Sequence, residues 1–188
     1  MNHLHLEKKG LRGLAIAESF KQGDKESRLA GVVIRRDFII DGFIFGQCTI
    51  GGDDSSDAII QMYSRLDRDD ISFIMISGLI ISMYNMVNIK MIHEVTKLPV
   101  IGVTYADSEG IEDAIKHHFP NASQSKIEQY LKIGNRTRVT LHTGHGLYIR
   151  TEGCSSLEAK KLLDMFTLQG SIPEPIRIAQ LLARTPVS

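Results

Sequence analysis

The spacing of apolar positions divides this chain into two kinds of segment. Residues 11–19 (LRGLAIAES) alternate, 28–36 (RLAGVVIRR) are rich in β-branched side chains, and 38–50 (FIIDGFIFGQCTI) form a longer run, so three strands are predicted. The connection FKQGDKE is polar and carries a glycine, and Arg36-Asp37 marks a second, tighter turn. Three strands joined this closely form an antiparallel meander. Within the third, Asp41-Gly42 reads as a bulge or bend rather than as a catalytic acid.

The period then changes. Asp54-Ser55-Ser56-Asp57 has the chemistry of a helix start, and Ile59, Ile60, Tyr63 and Leu66 recur at helical spacing. Residues 71–78 (ISFIMISG) are continuously apolar, as in a strand buried on both faces. A helix over 86–97, a buried strand over 99–106 (PVIGVTYA) and helices over 109–119 and 123–133 follow, the last two separated by Pro120-Asn121. Residues 137–151 hold two short β runs around a glycine-bearing turn, and 155–168 and 173–184 are predicted helices. No repeat, low-complexity tract or linker interrupts 1–188, which is therefore expected to be one domain. The sum is an α/β fold: a mixed sheet, antiparallel meander plus parallel strands, with flanking helices. In such sheets functional groups collect at the carboxyl ends of the parallel strands. That directs attention to Ser77-Gly78, Ala106-Asp107 and the first strand.

Composition narrows the classes. With 22 Lys plus Arg against 22 Asp plus Glu the net charge is zero, which argues against a strongly electrostatic nucleic-acid binder but leaves room for a local patch. If Arg12, Arg35, Arg36, Lys132, Arg136 and Arg138 form one stripe, nucleic acid is indicated; if they scatter, a protein partner is. Two cysteines, Cys48 and Cys154, imply no disulfide framework and fit a reducing cytoplasm. The opening MNHLHLEKKG has no apolar signal-like core, and no segment reaches membrane-spanning length free of polar residues. A soluble, cytoplasmic protein with no membrane partner is expected. His117-His118 and His142-Thr-Gly-His145 lack zinc-ligand spacing, Ser77-Gly78 lacks a nucleophile elbow, and neither cysteine has a neighbouring pattern that would activate it. The methionines from Met83 to Met91 read as adaptable packing.

Four segments together, GSIPEPIRIAQLLA, FIMISGLIISMYNMVNI, LPVIGV and IEDAIKHHFPN, resemble the archaeal endonuclease-dU family, a relative of endonuclease V. The resemblance runs in order from about Leu11 to Ala183. It implies a ribonuclease-H-like fold, a single endonuclease-V-like domain, and metal-assisted phosphodiester cleavage of the kind used in DNA repair. That chemistry clamps two divalent cations about 4 Å apart between carboxylates from separate elements. In the resembled pattern the first strand carries an Asp followed by another acid, where this chain has Ala17 and Glu18. An Asp-Gly-x-Asp element after the third strand here reads Gly51-Gly52-Asp53-Asp54, and an Asp-Gly at the end of the next strand reads Ser77-Gly78. The histidine that follows the Pro-Glu-Pro motif on the last helix is here Gln180. Ala17, Gly51, Ser77 and Gln180 are thus remnant ligand positions, and Glu18 and Asp54 are the remaining catalytic candidates.

Local chemistry supplies competing roles. Ser171-Ile172-Pro173-Glu174 fits an S-x-x-E capping box, and Asp54 fits a helix N-cap. Arg177 either holds a phosphate bidentately or pairs with a carboxylate. Strand alternation sets Glu18 on the face opposite Ala17 unless a bulge intervenes. The reading that follows is an endonuclease-like member with a degraded metal site, serving as a nucleic-acid- or partner-binding module, with no metal or other cofactor expected. Two alternatives stand beside it. One is an active nuclease using Mg²⁺ or Mn²⁺ at a rearranged site of Glu18, Asp54 and either Asp41 or Asp107. The other is a structural or regulatory subunit that binds protein, a second copy of the chain included.

Overall fold

The computed structural model describes residues 6–106 and 110–185. β1 (Arg12–Ser19), β2 (Glu26–Arg35) and β3 (Ile40–Thr49) form the expected antiparallel meander. The β2–β3 register shifts between Val33 and Ile34, which pair with Gly42 and Ile40, so Asp41 is the extra residue of a bulge. β3 is an edge strand whose Ile44 and Cys48 pack under the first helix while Phe43 and Phe45 on its other face stay about half exposed.

Next come α1 (Ser55–Leu66), β4 (Phe73–Ser77), a small hairpin β5 (Ile80–Ile81) and β6 (Asn85–Met86), α2 (Ile89–Thr96) and β7 (Val100–Thr104). The hairpin was not anticipated. Its turn places Ser82, Met83 and Tyr84 all at positive φ, a run of left-handed residues that no glycine or proline announces. The second helix begins at Ile89 rather than at 86 because Asn88 caps it, its side chain accepting from the Met91 N–H at 3.1 Å. The chain ends with α3 (Glu112–His118), α4 (Ser123–Lys132), β8 (Thr137–Thr140), β9 (Gly146–Glu152), α5 (Ser156–Met165) and α6 (Glu174–Arg184).

The sheet order is β3-β2-β1-β4-β7-β9-β8, with β1, β4 and β7 parallel and β9 antiparallel to β7. This is the mixed sheet expected from the pattern. Alternation sends Leu14 and Ile16 into the core under α1 and α2, and Ala15 and Ala17 into the core under α5 and α6. The second core has a seam of small residues. Ala15, Ala17, Ala30 and Ala179 are each at most 2% exposed, and without longer side chains between them α6 lies close on β1 and β2.

The S-x-x-E pattern forms a capping box, but elsewhere than expected. At the start of α5, Ser155 Oγ accepts from Glu158 N at 3.2 Å and Glu158 Oε2 accepts from Ser155 N at 2.9 Å. Ser171 and Glu174 do not form one: Pro173 stands at the N-cap of α6, Glu174 N donates to Phe166 O, and the Glu174 carboxylate is taken by Arg177.

Candidate functional site

The close approach of α6 to the sheet determines what happens at the carboxyl ends of β1 and β4. Ile16 pairs with Ile76 in the parallel ladder, so Ala17 and Ser77 stand side by side one step further on, facing α6. Gln180, one residue past the buried Ala179, donates from Nε2 to Ser77 Oγ at 2.9 Å. Ala17 is 2% exposed beside them. The three positions that the sequence marked as remnant ligands on β1, β4 and α6 therefore converge, although 103 residues separate Ser77 from Gln180.

Their chemistry is that of a neutral contact: a methyl, a hydroxyl and an amide. A divalent cation of the Mg²⁺ class takes charged or strongly polar oxygens, usually carboxylates, and pays heavily to lose water. Here the Ser77 hydroxyl is already occupied by Gln180 and Ala17 supplies no donor. This donor set does not fit a two-cation clamp.

The other three positions lie across the sheet edge. No bulge interrupts β1, so Glu18 points away from Ala17, and its Oε2 accepts from Ser27 Oγ at 2.5 Å. Ser82 approaches the same carboxylate through N and Oγ, both at 3.4 Å, and Ser82 Oγ lies 3.3 Å from the Cys48 sulfur. Burial pushes the Cys48 thiol up, the Ser82 contact opposes this, and the charges of Asp54 and Glu18 add to it. Gly51, at φ +71°, donates its N–H to Ser82 O at 2.7 Å.

Asp54 occupies the N-cap position of α1 but does not cap it. Its carboxylate folds back onto the strand end, accepting from Thr49 N at 3.0 Å, Thr49 Oγ1 at 2.7 Å and Asn85 Nδ2 at 2.7 Å. The residue that satisfies the helix start is Asn85, whose Oδ1 accepts from Ser55 N at 3.1 Å. Burial works to raise the Asp54 pKa, but the hydrogen bonds from Thr49 and Asn85 outweigh it and hold the carboxyl below its ordinary value.

Two organising residues here had no sequence signal. Asn85 is wholly buried in the unanticipated hairpin. Lys126 on α4 is 3% exposed; its Nζ donates to Gly52 O at 2.7 Å, Asp53 Oδ1 at 2.8 Å and Tyr84 O at 3.1 Å, and lies 5.1 Å from the centre of the Phe119 ring.

The remaining candidates separate. Asp41 is at the opposite end of the sheet, held by Arg12 Nε at 2.5 Å, with Arg68 nearby; it shares no site with Glu18 and Asp54. Asp107 lies outside the described residues. Arg177 takes the carboxylate option, its Nε donating to Glu174 at 2.8 Å. His142 accompanies Asp164, and His145 meets Thr143 O. Among the described residues no group of three or more His, Cys, Asp or Glu is placed to hold a metal ion. No described helix is long and apolar enough to cross a membrane.

The six basic residues do not form one stripe. Arg12, Arg35 and Arg36 sit at the amino end of β1 and its β2 partner, bonded to Asp41, Asp37 and Leu6 O. Arg136 and Arg138 flank the start of β8, which aligns through Ile149 with Val103 near the carboxyl end of β7. Lys132 ends α4 close by in the chain.

Comparison with known proteins agrees with this architecture. The family model for endonuclease dU matches residues 9–187. A UPF0215 protein of Pyrobaculum calidifontis is 36% identical over 171 residues, covering 90% of this chain and 93% of its own. A solved protein of unknown function from Archaeoglobus fulgidus superposes with a TM-score of 0.78 at 27% identity, covering 92% of this chain and 96% of the other. Endonuclease V of Ciona intestinalis, solved with a DNA containing an inosine followed by a ribo-adenosine, shares the fold at a TM-score of 0.59 and 15% identity over 94% of this chain and 85% of its own.

Proposed function

The chain belongs to the endonuclease dU family, and we propose that it is a member without two-metal phosphodiester cleavage, working as a binding module for nucleic acid or for a protein partner, the latter in keeping with basic residues that form no single stripe. The observation that carries this reading is the Gln180–Ser77 hydrogen bond beside the buried Ala17 methyl. Converging carboxylates repel one another and need a cation between them; a methyl, a hydroxyl and an amide need none. The site is self-sufficient without metal.

Binding does not depend on the missing ligands. Most affinity for nucleic acid comes from contacts to the phosphate backbone, which metal-free surfaces supply. The DNA-bound Ciona endonuclease V, which has the same fold, supports a nucleic-acid partner. The two cysteines, both unpaired, fit the cytoplasm as the compartment. Of the two acids that a rearranged nuclease could add to Glu18 and Asp54, Asp41 lies at the far end of the sheet from them and Asp107 lies outside the described residues.

The test is a cleavage assay on damaged and undamaged DNA and RNA, single- and double-stranded, with Mg²⁺ and Mn²⁺. The expected result is binding without turnover. Metal-dependent turnover abolished by Asp54→Ala would overturn the proposal.

A further inference from the structure

At the β3 edge of the sheet, the strand is bonded to β2 on one side and to no described strand on the other. Just past the paired residues, Ile50 N donates to Lys25 O at 3.0 Å. Antiparallel bonding alternates along a strand. Residues 48, 46, 44 and 42 therefore turn their backbone groups toward β2, and Phe43, Phe45, Gln47 and Thr49 turn theirs outward. Two outward groups are met from beyond the sheet, as this assignment requires. Thr49 N donates to Asp54 Oδ1 at 3.0 Å, and Phe45 O accepts from Arg65 Nη1 at 3.2 Å. The N–H groups of Phe43, Phe45 and Gln47 meet no acceptor among the described residues.

Natural sheet edges are blunted by lysine, proline, a bulge or a covering segment. The bulge of β3 is at Asp41, and from 42 to 49 (GFIFGQCT) the strand runs in register without Lys or Pro. Asp54 at Thr49 N and Arg68 at Asp41 O close the two ends, so the open stretch is 43–47. Such an edge is a template for another extended segment.

The surroundings set the chemistry of that segment. Phe43 and Phe45 are 49% and 46% exposed on the face away from α1, so an added strand finds apolar surface at alternate positions. A hollow of about 560 Å³ borders the edge, with Arg28, Gln47, Gln61 and Arg65 among its walls. Arg28 donates to Thr185 O and Arg65 to Phe45 O, and neither has a carboxylate within ion-pair distance among the described residues. The acid in the same walls, Glu26, accepts from Gln47 Nε2 at 2.6 Å. Two guanidiniums against one carboxylate leave the rim positive. A second copy paired through its own β3 offers no counter-charge, because the acid of that strand, Asp41, is bonded to Arg12 and its α1 brings another Arg65.

We propose that the free edge of β3 is a docking site for an extended acidic segment of a protein partner. The segment adds as a further strand, with apolar side chains beside Phe43 and Phe45 and carboxylates toward Arg28 and Arg65. The proposal rests on the protein-partner reading above and adds where the partner is seated.

The probe is a fluorescein-labelled peptide of about nine residues in which Val and Glu alternate, with a Val–Lys peptide as its counterpart. Fluorescence anisotropy compares the wild type, Gln47→Pro, Arg65→Glu and Lys161→Gln, the last an exposed position on α5. Gln47→Pro removes an outward N–H and leaves the ladder to β2 intact, and is expected to weaken the Val–Glu peptide about tenfold. Arg65→Glu should weaken it about tenfold at about 50 mM salt, less at about 500 mM, and should favour the Val–Lys peptide. Lys161→Gln should match the wild type. Far-UV spectra and melting curves establish that each variant is folded. Amide hydrogen exchange reads the edge itself: Phe43, Phe45 and Gln47 should exchange fast in the free protein and slowly with peptide bound, while Ile44 and Gly46 stay slow throughout. Absence of Val–Glu binding at about 1 mM, or binding unchanged in both Gln47→Pro and Arg65→Glu, overturns the site. Slow exchange of the three outward amides in a free protein that sediments as a dimer assigns the edge to a second copy and overturns the acidic partner. Failure of the underlying reading is seen separately, as metal-dependent turnover in the cleavage assay.

Discussion

Placing two aspartates and a histidine at positions 17, 77 and 180 should make this protein metal-dependent for stability before it makes it a nuclease. In the triple variant Ala17→Asp, Ser77→Asp, Gln180→His, the first two substitutions place carboxylates side by side on adjacent parallel strands, which run about 4.8 Å apart. Two unit charges about 5 Å apart at an effective dielectric of about 20 repel by about 3 kcal/mol. The new group at position 17 also enters an environment that is now 2% exposed and lined by Ala15 and Ala179, which adds a desolvation cost. For a chain of this size a loss of about 3 kcal/mol lowers the melting temperature by about 6–12 °C. A cation bound between the carboxylates reverses most of that loss, since ligand at a hundredfold excess over Kd contributes about 2.7 kcal/mol. Differential scanning calorimetry with and without Mn²⁺, paired with isothermal titration, measures both quantities. Ser77→Asp alone, at a half-buried position where Gln180 can still donate, is the folded control. Cleavage is expected to stay absent, because it needs ligands held within about 0.5 Å of productive geometry by surrounding residues, which the three substitutions do not supply. A metal-free triple variant as stable as the parent, with a native far-UV spectrum and no Mn²⁺ uptake, would show that positions 17, 77 and 180 never made a common site.

Three further outcomes follow from the same geometry. Millimolar Mg²⁺ or Mn²⁺ should shift the melting temperature of the wild type by less than about one degree, because a weak site contributes almost nothing to stability; a shift saturating at micromolar metal would contradict the neutral-site reading. Asp54, with its native pKa held below the ordinary carboxylate value, contributes stability that is fully present above that ordinary value and lost as pH falls through the depressed native one. Melting temperatures between about pH 2 and 7 should therefore fall less steeply on the acid side in Asp54→Ala than in the wild type, and equal acid slopes would count against the assigned hydrogen bonds. Lys126→Met should cost about 1–3 kcal/mol in urea denaturation, because the carbonyls of Gly52 and Tyr84 lose their shared donor; an unchanged midpoint would mean that water replaces the ammonium without loss.

Apart from the β5–β6 hairpin, the elements were legible in the sequence because their cause is local. Alternation in 11–19 and continuous apolarity in 71–78 each follow from how many faces of a strand are buried, and that burial repeats every second residue or at every residue. The Asp41 bulge was legible for the same reason: a glycine after an acid inside an apolar run marks the place where pairing breaks. Family membership could also be read from residue identities alone.

What tertiary structure decided was which of several satisfied partners each polar group took. Ser155–Glu158 and Ser171–Glu174 both fit S-x-x-E, and of the two Ser155–Glu158 forms the capping box, because Arg177 claims Glu174 and Phe166 O claims its amide. Asp54 had the position of a cap, yet Asn85, 31 residues away, stands within 2.7 Å of its carboxylate and takes over the helix N–H instead. Arg12 and Arg136 look alike in sequence and end at opposite ends of the sheet, one bonded to Asp41 and the other lying over the Tyr148 ring. Gln180 reaches Ser77 only because four alanines let α6 settle on the sheet. A hydrophobic period reports which face of an element is buried. It carries no information on which distant donor arrives at that face, since that depends on strand order and helix approach, set by packing over the whole chain.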